Sequence, residues 1–258
     1  MADTTHADAT HADTRRRVRS RPAAEPGPST GGRLVAPADV AAASTALRDG
    51  IGDRATVRFA GNGTKAGWGG ALDPIDLTVS TGGLQQVIRH NPADMTAAVQ
   101  AGMPLTRLQS VLAEHGQWLA LDPPSAAGGA TLGGLLATGD AGPRRLRYGS
   151  LRDLAIGATL VLADGTVVHS GSHVIKNVAG YDLTKLFHGS LGSLGLIAEV
   201  IVRLHPLPPT SATVLARCSL AEATAAVPEL TCRGAEPTAV EWIGPADTDE
   251  TGTLLVRV

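Results

Sequence analysis

The sequence predicts an α+β fold, and three observations carry that reading. Strand-like and helix-like segments mix along the chain without regular βαβ repetition. Thirty-one glycines and sixteen prolines stand against three tryptophans, two tyrosines and two phenylalanines, which suits a loop-rich, tightly turned molecule. Two segments late in the chain, LAIGATLVLADGTVVHSGS and LIAEVIVRLHP, read as a hairpin and an alternating strand.

Residues 1–31 read as a disordered tail and linker. THAD occurs twice, at Thr5–Asp8 and Thr10–Asp13, followed by RRRVRSRP and a Pro/Gly/Ser-rich stretch with little to bury. The arginines invite a twin-arginine export reading, yet no apolar stretch follows them.

PADVAAASTALRDG is a helix with Pro37 and Asp39 at its start, Val40, Ala43 and Leu47 on one face and Gly50 as its stop. ATVRFAG is a short strand that runs into the glycine-rich loop GNGTKAGWGG. DLTVS and MTAAVQAG are strand-like. PLTRLQSVLAEHG is a second helix, with Leu105, Leu108 and Leu112 on one face and Gly116 at the C′ position.

QWLALDPP leads into a second glycine-rich stretch, GGATLGGLLATGDAGPRRLRYGS, read here as loop. The hairpin turns at Ala163-Asp164-Gly165. YDLTKLF is a short helix before a third small-residue segment, GSLGSLG, and LIAEVIVRLHP. Beyond Pro209 a new unit begins, with TVLARC, the helix SLAEATAAVPEL, and the strands AVEWI and TLLVRV.

A net charge of −2 gives no global field toward nucleic acid or anionic membrane, and no apolar run is long enough to span a bilayer. Two cysteines, Cys218 and Cys232, without C-x-x-C spacing cannot hold an iron–sulfur cluster. Their spacing permits a disulfide; two reduced thiols in a cytosolic protein are the plainer reading. No H-x-H or H-E-x-x-H spacing marks a metal site.

Gly61, Gly63 and Ala66 satisfy G-x-G-x-x-G/A, the Rossmann pattern, which needs a helix to begin inside the motif. Here Ala66 is followed by Gly67, Trp68, Gly69, Gly70 and soon Pro74, so no helix is expected there. Gly63-Thr64-Lys65 does not satisfy a Walker A loop either. What remains is a strand ending in a loop whose successive N–H groups can form an anion nest, or a plain connection between strands. Thr131-Leu132-Gly133-Gly134, Thr138-Gly139 and GSLGSLG (Gly189–Gly195) add two more small-residue segments, and together the three favour a long ligand cradled by backbone.

FAGNGTKAGWGG, LDPPSAAGGATLGGLLATGDAGPRRLRYGSLRDL and VIKNVAGYDLTKLFHGSLGSLGLIAEV, in that order, resemble the FAD-binding domain of the vanillyl-alcohol-oxidase and p-cresol-methylhydroxylase (PCMH) superfamily. Within it, GPRRLRYG, LVLADG, KNVAGYDLTKLF and GSLG-x-LG resemble the FAD-binding, E-type subunit of bacterial glycolate oxidase. The resemblance implies a two-subdomain FAD-binding domain over residues 32–208. A small cap, partial or minimal, follows over 209–258; relatives' caps run longer, so the chain is expected either to have a minimal cap or to be incomplete.

Carried over by position, Gly61, Asn62, Gly63, Thr64 and Lys65 match the loop around the FAD pyrophosphate. Pro123, Thr131, Gly133, Gly134, Thr138 and Gly139 match a second set of cofactor contacts. Tyr148 and Gly149 lie in the matching RYG turn, and Ile197 matches a residue whose backbone meets the flavin side. Gly189, Ser190 and Gly195 are assigned to shaping their turn. Many relatives attach FAD through a histidine or cysteine; Asn62 and Thr64 stand in this loop, with no histidine or cysteine from Arg58 to Leu72, so the expectation is non-covalent FAD.

The resemblance further implies an FAD-dependent oxidoreductase, a subunit of a complex that oxidises glycolate to glyoxylate. A partner flavoprotein subunit and an iron–sulfur subunit would accompany it, in the cytoplasm, with any membrane association made through those partners. Two alternatives stay open: a self-sufficient FAD-dependent, D-lactate-like 2-hydroxy-acid dehydrogenase, and a non-catalytic flavin-binding assembly subunit. No catalytic residue is assigned. His173, Lys176, Tyr181, Asp182 and His188 are candidates, each with a structural rival: Asp182 as a helix cap with Lys185 exposed, Tyr181 as a packed ring, His188 at a helix C-terminus. Arg144, Arg145 and Arg147 form a basic cluster assigned to partner docking or loop ordering.

Overall fold

The computed structural model describes residues 32–70, 74–172, 182–232, 234–245 and 250–258. Three parallel strands make the first sheet: β1 (Arg33–Val35), β2 (Val57–Ala60) and β3 (Leu77–Ser80), in the order β1-β3-β2. Helix α1 (Val40–Gly52) lies between β1 and β2 in sequence, and Asp39 caps it by accepting from the Ala42 N–H at 2.7 Å. Gly50 does not stop this helix. It is buried within it, and a β-carbon there would stand 2.9 Å from Leu77 Cδ2, so the glycine permits close packing on β3.

The second sheet holds five antiparallel strands, β4 (Val87–Asn91), β5 (Thr96–Gln100), β7 (Ala155–Val161), β8 (Val167–Gly171) and β9 (Leu196–Arg203), in the order β4-β5-β9-β7-β8. β4 and β5 come first, followed by α2 (Leu105–Ala113) and β6 (Gln117–Trp118). Leu105, Leu108 and Leu112 are buried as the periodicity predicts. Each contributes about 1.5–3 kcal/mol by leaving water. Gly116 lies one residue farther from the helix than expected, because the cap is Glu114, and it takes φ +65°.

A 3-10 turn (Pro124–Gly128) leads to α3 (Leu132–Thr138), α4 (Arg145–Tyr148) and α5 (Leu151–Leu154). The loop expected over residues 132–138 is therefore a helix. Thr131 caps it by accepting from the Gly134 N–H at 3.3 Å, while the N–H groups of Leu132 and Gly133 donate to Met103 and Ala101 carbonyls at 2.9 and 2.8 Å. Those tertiary bonds satisfy donors that a free helix start would leave orphaned, and they outweigh the poor propensity of two glycines.

β7 (Ala155–Val161) and β8 (Val167–Gly171) form the expected hairpin, turning through Ala163-Asp164-Gly165 with the Gly165 N–H donating to Leu162 O at 2.9 Å. α6 (Leu183–Phe187), β9 (Leu196–Arg203) and β10 (His205–Pro206) follow, with β10 pairing β6. Lys185 is not exposed: its Nζ reaches the carbonyls of Arg152 and Ala155. Burial holds its pKa below the ordinary lysine value, against the pull of Asp182.

The five-stranded sheet presents Leu160 and Ile197 to a core shared with α2, α3 and α5. Val161, Leu196 and Ala198 instead join Leu47, Leu77 and Val79 in a second core beneath α1. The two sheets thus meet at β7 and β9. A third, antiparallel sheet of β11 (Thr213–Ser219), β12 (Ala239–Ile243) and β13 (Thr251–Arg257), in the order β11-β13-β12, packs with α7 (Leu220–Cys232). Cys218 and Cys232 are free thiols. Among the described residues no helix is long and apolar enough to cross a membrane.

Candidate functional site

β2 ends at Ala60, and the chain turns through Gly61–Gly69 without forming a helix, as the run of glycines predicts. Gly61 passes against the start of α3: a β-carbon on it would stand 2.5 Å from Thr131 Oγ1. Asn62 donates through Nδ2 to Gly129 O at 2.8 Å, which ties the loop to the 3-10 turn. Gly63 takes φ +73°, and a β-carbon there, as at Gly67 and Gly69, would meet open space. Among the described residues the backbone N–H groups of Asn62, Gly63 and Thr64 have no partner.

Behind this loop sits an ion pair. Lys65 Nζ lies 3.2 Å from Thr64 Oγ1, 3.1 Å from Ser125 Oγ and 3.8 Å from Asp140 Oδ2. Ser125 donates in turn to Asp140. The Lys65 and Asp140 side chains are 5 % and 6 % exposed. Burial lowers the Lys65 pKa and the neighbouring Asp140 carboxylate opposes that shift.

Helix α3 brings the other small-residue segments to the same place. Its Gly133 packs on Ala101, where a β-carbon would come within 2.7 Å. The Thr138 hydroxyl donates to Gly134 O at 2.8 Å, and Gly139 caps the helix in the left-handed region at φ +67°. The third segment docks on the far end of α3, with the Gly189 and Leu191 N–H groups donating to Leu136 and Ala137 carbonyls at 3.0 and 2.7 Å. A β-carbon on Gly192 would stand 3.5 Å from Phe59 of β2. All three glycine-bearing segments therefore converge around one short helix.

Pro123 is buried at the entry to the 3-10 turn, and Ile197 is buried in β9, opposite Leu160 of β7. Tyr148 lies in a second cluster. Its ring meets Trp118 and His205 edge-on, with centroids 5.6 and 4.9 Å away, and the Arg144 guanidinium stacks on Trp118 at 4.4 Å. Asp122, next to Pro123, pairs with Arg144 at 3.8 Å. Gly149 caps α4 at φ +78°, beside the Ser150–Asp153 capping box. Among the described residues no hydrogen bond, ion pair or ring contact joins Tyr148 or Gly149 to the loop at Gly61–Lys65.

Of the candidate catalytic residues, His173, Lys176 and Tyr181 lie outside the described residues. Asp182 caps α6, accepting from the Lys185 N–H at 3.3 Å. His188 caps the end of α6, and its Cε1 lies 3.0 Å from where a Gly139 β-carbon would stand. Its Nε2 is buried without a partner among the described residues. Burial, then the positive charge of Arg152, lowers its pKa and favours the neutral ring.

In the basic cluster Arg144 is half-buried, with its pKa lowered by burial and by Arg257. Arg147 pairs with Glu236 at 2.7 Å, and Arg145 is exposed. Sequence reasoning missed Ser125, Asp140, Trp118 and His205. The one signal that could have raised the first two is a lysine in an apolar, glycine-rich loop, which needs a carboxylate when buried.

Residues 32–171 match the family of the FAD binding domain. The chain belongs to that family. FAD is the cofactor against which the geometry is tested, and the residues fit it: a loop with three backbone donors unpartnered among the described residues, open space at Gly63, Gly67 and Gly69, and a buried cation behind. The chain is 33 % identical to the glycolate oxidase subunit GlcE of Escherichia coli over 69 % of its length and 51 % of that protein. It is 40 % identical to the glycolate oxidase subunit GlcD of Bacillus subtilis over 52 % of this chain and 28 % of that one. A mitochondrial D-lactate dehydrogenase (cytochrome) of Saccharomyces cerevisiae is 34 % identical over 62 % of this chain and 27 % of that protein.

The chain thus spans about half or less of the length of these relatives. Among solved structures, alkyldihydroxyacetonephosphate synthase superposes with a TM-score of 0.73 at 20 % identity, over 87 % of this chain and 46 % of that one. That likeness shows the fold, an α+β architecture.

Proposed function

We propose that this chain is the FAD-binding part of a 2-hydroxy-acid oxidoreductase, acting as a subunit of a glycolate oxidase complex. The observation that carries the reading is the convergence of the three glycine-bearing segments on α3. Similarity to two glycolate oxidase subunits supports the choice of complex. Residues 32–208 form the cofactor unit, and 209–258 belong to a small cap.

In this reading the N–H groups of Asn62, Gly63 and Thr64 bind the cofactor's phosphates as an anion nest. Thr131, Gly133, Gly134 and Thr138 build the helix against which that loop closes, and Gly139, Tyr148, Gly149 and Ile197 line the path toward the flavin end. Pro123 sets the turn that carries Gly129 to Asn62. Bound there, FAD would supply two-electron redox chemistry to the complex. Lacking cysteine and histidine, the loop holds the cofactor non-covalently. In the complex a partner flavoprotein subunit would meet the substrate, and an iron–sulfur partner subunit would carry electrons onward.

Co-purification of the tagged chain from its host tests this reading. A visible flavin spectrum, full release of the flavin on acid precipitation, and bleaching by anaerobic glycolate in the complex but not in the lone chain are expected. Bleaching of the lone chain by glycolate or D-lactate would instead establish a self-sufficient dehydrogenase. A colourless chain that takes up no FAD would overturn the proposal.

A further inference from the structure

Lys65 stands where a lysine would conventionally be assigned to the cofactor's phosphates. An ammonium has three N–H donors and no acceptor. Thr64 Oγ1 and Ser125 Oγ accept from two of them, at 3.2 and 3.1 Å, and Asp140 Oδ2 stands 3.8 Å away as the ion-pair partner. With its side chain 5 % exposed and its charge matched by Asp140, Lys65 has no open face for a ligand. Its partners come from separate segments: Ser125 from the 3-10 turn and Asp140 from the residue after the α3 cap. The Ser125 hydroxyl donates to the same carboxylate, so the three side chains close a ring of contacts.

We propose that Lys65, Ser125 and Asp140 form a buried ionic staple that positions the Gly61–Lys65 loop for the cofactor's phosphates, with Lys65 itself making no bond to them. These are positioning residues, and the inference rests on the FAD-binding reading above. Breaking a buried pair on one side leaves an uncompensated charge, whereas removing both charges together does not. The loop then loses its register over α3 in either single variant and keeps it in the double.

The test is a double-mutant cycle of Lys65→Met and Asp140→Asn, with FAD binding followed by quenching of flavin fluorescence at several salt concentrations. Each single variant is expected to raise the Kd at least about tenfold, and the double to return to within about threefold of wild type. The double should also keep the wild-type salt dependence. A direct phosphate contact predicts the reverse. Lys65→Met and the double would be equally weak, with a shallower salt dependence, and Asp140→Asn would bind normally; that result overturns the staple.

Should the single variants fail to fold, Ser125→Ala removes the bridge without stranding a charge. It is expected to weaken FAD about threefold, and unchanged binding would count against the proposal. If the wild-type chain takes up no FAD, the functional reading falls while the staple is still decided by thermal unfolding of the four proteins of the cycle. Lower Tm in both singles with recovery in the double supports it, and additive losses refute it.

Discussion

Gly61→Ala isolates the contact between the glycine-rich loop and α3. The added β-carbon would stand 2.5 Å from Thr131 Oγ1 and 3.2 Å from its Cγ2. Thr131 cannot simply turn aside. It is 3 % exposed, its hydroxyl caps α3, and a β-branched side chain has few χ1 options. Overpacking of this kind costs about 1–3 kcal/mol. At about 2–4 °C per kcal/mol for a chain of this size, the Tm should fall by about 2–12 °C.

Thr131→Ala alone loses the cap, at about 0.5–2 kcal/mol, but leaves only Cβ, 3.4 Å from the new atom. The double variant should therefore cost no more than Thr131→Ala, a coupling of about 1–3 kcal/mol read by differential scanning calorimetry or urea unfolding. Strictly additive losses would refute the contact as the reason for glycine at this position.

Asn62→Ala removes a single exposed hydrogen bond to Gly129. It should raise the FAD Kd about 2- to 10-fold with little change in Tm, as measured by titration calorimetry. Arg147→Ala breaks an ion pair whose side chains are 49 % and 66 % exposed, so stability should change by no more than about 1 kcal/mol in urea unfolding, less in high salt. The pKa values of His188 and His205 both fall below the ordinary 6.5, chiefly through burial. Unfolding then takes up protons, so their contribution is complete above about pH 6.5 and is lost as the pH falls through the folded values. Wild-type Tm should drop more steeply from about pH 7 to about pH 5 than that of a His188→Asn/His205→Asn variant, and parallel profiles would contradict this.

Local signals in the chain were legible where local chemistry decides the structure. Asp39 caps α1, Leu105, Leu108 and Leu112 give α2 its face, and Ala163-Asp164-Gly165 turns the hairpin. The missing helix after Ala66 followed from glycine and proline alone. What failed to show was decided at a distance. α3 looked like loop because its sequence is poor for a helix, and only the carbonyls of Ala101 and Met103 make its first turn affordable. Gly50 read as a stop because its packing against Leu77 belongs to another strand. In the site, the small-residue segments were visible as a pattern, but no spacing rule brings residues 65, 125 and 140 together, or stacks Arg144 on Trp118.

Helix α3 is held by tertiary backbone bonds at both ends, from Met103 and Ala101 at its start and from Gly189 and Leu191 near its finish. At seven residues it spans about 10 Å, too short to bend or to fray from one end independently. Mechanically it is a strut built in at both supports. It cannot rotate or slide without unseating the segment after β5 and the approach to β9 together, so the amides of all three should exchange with solvent as one cooperative unit. The floor of the site opens with its frame or not at all.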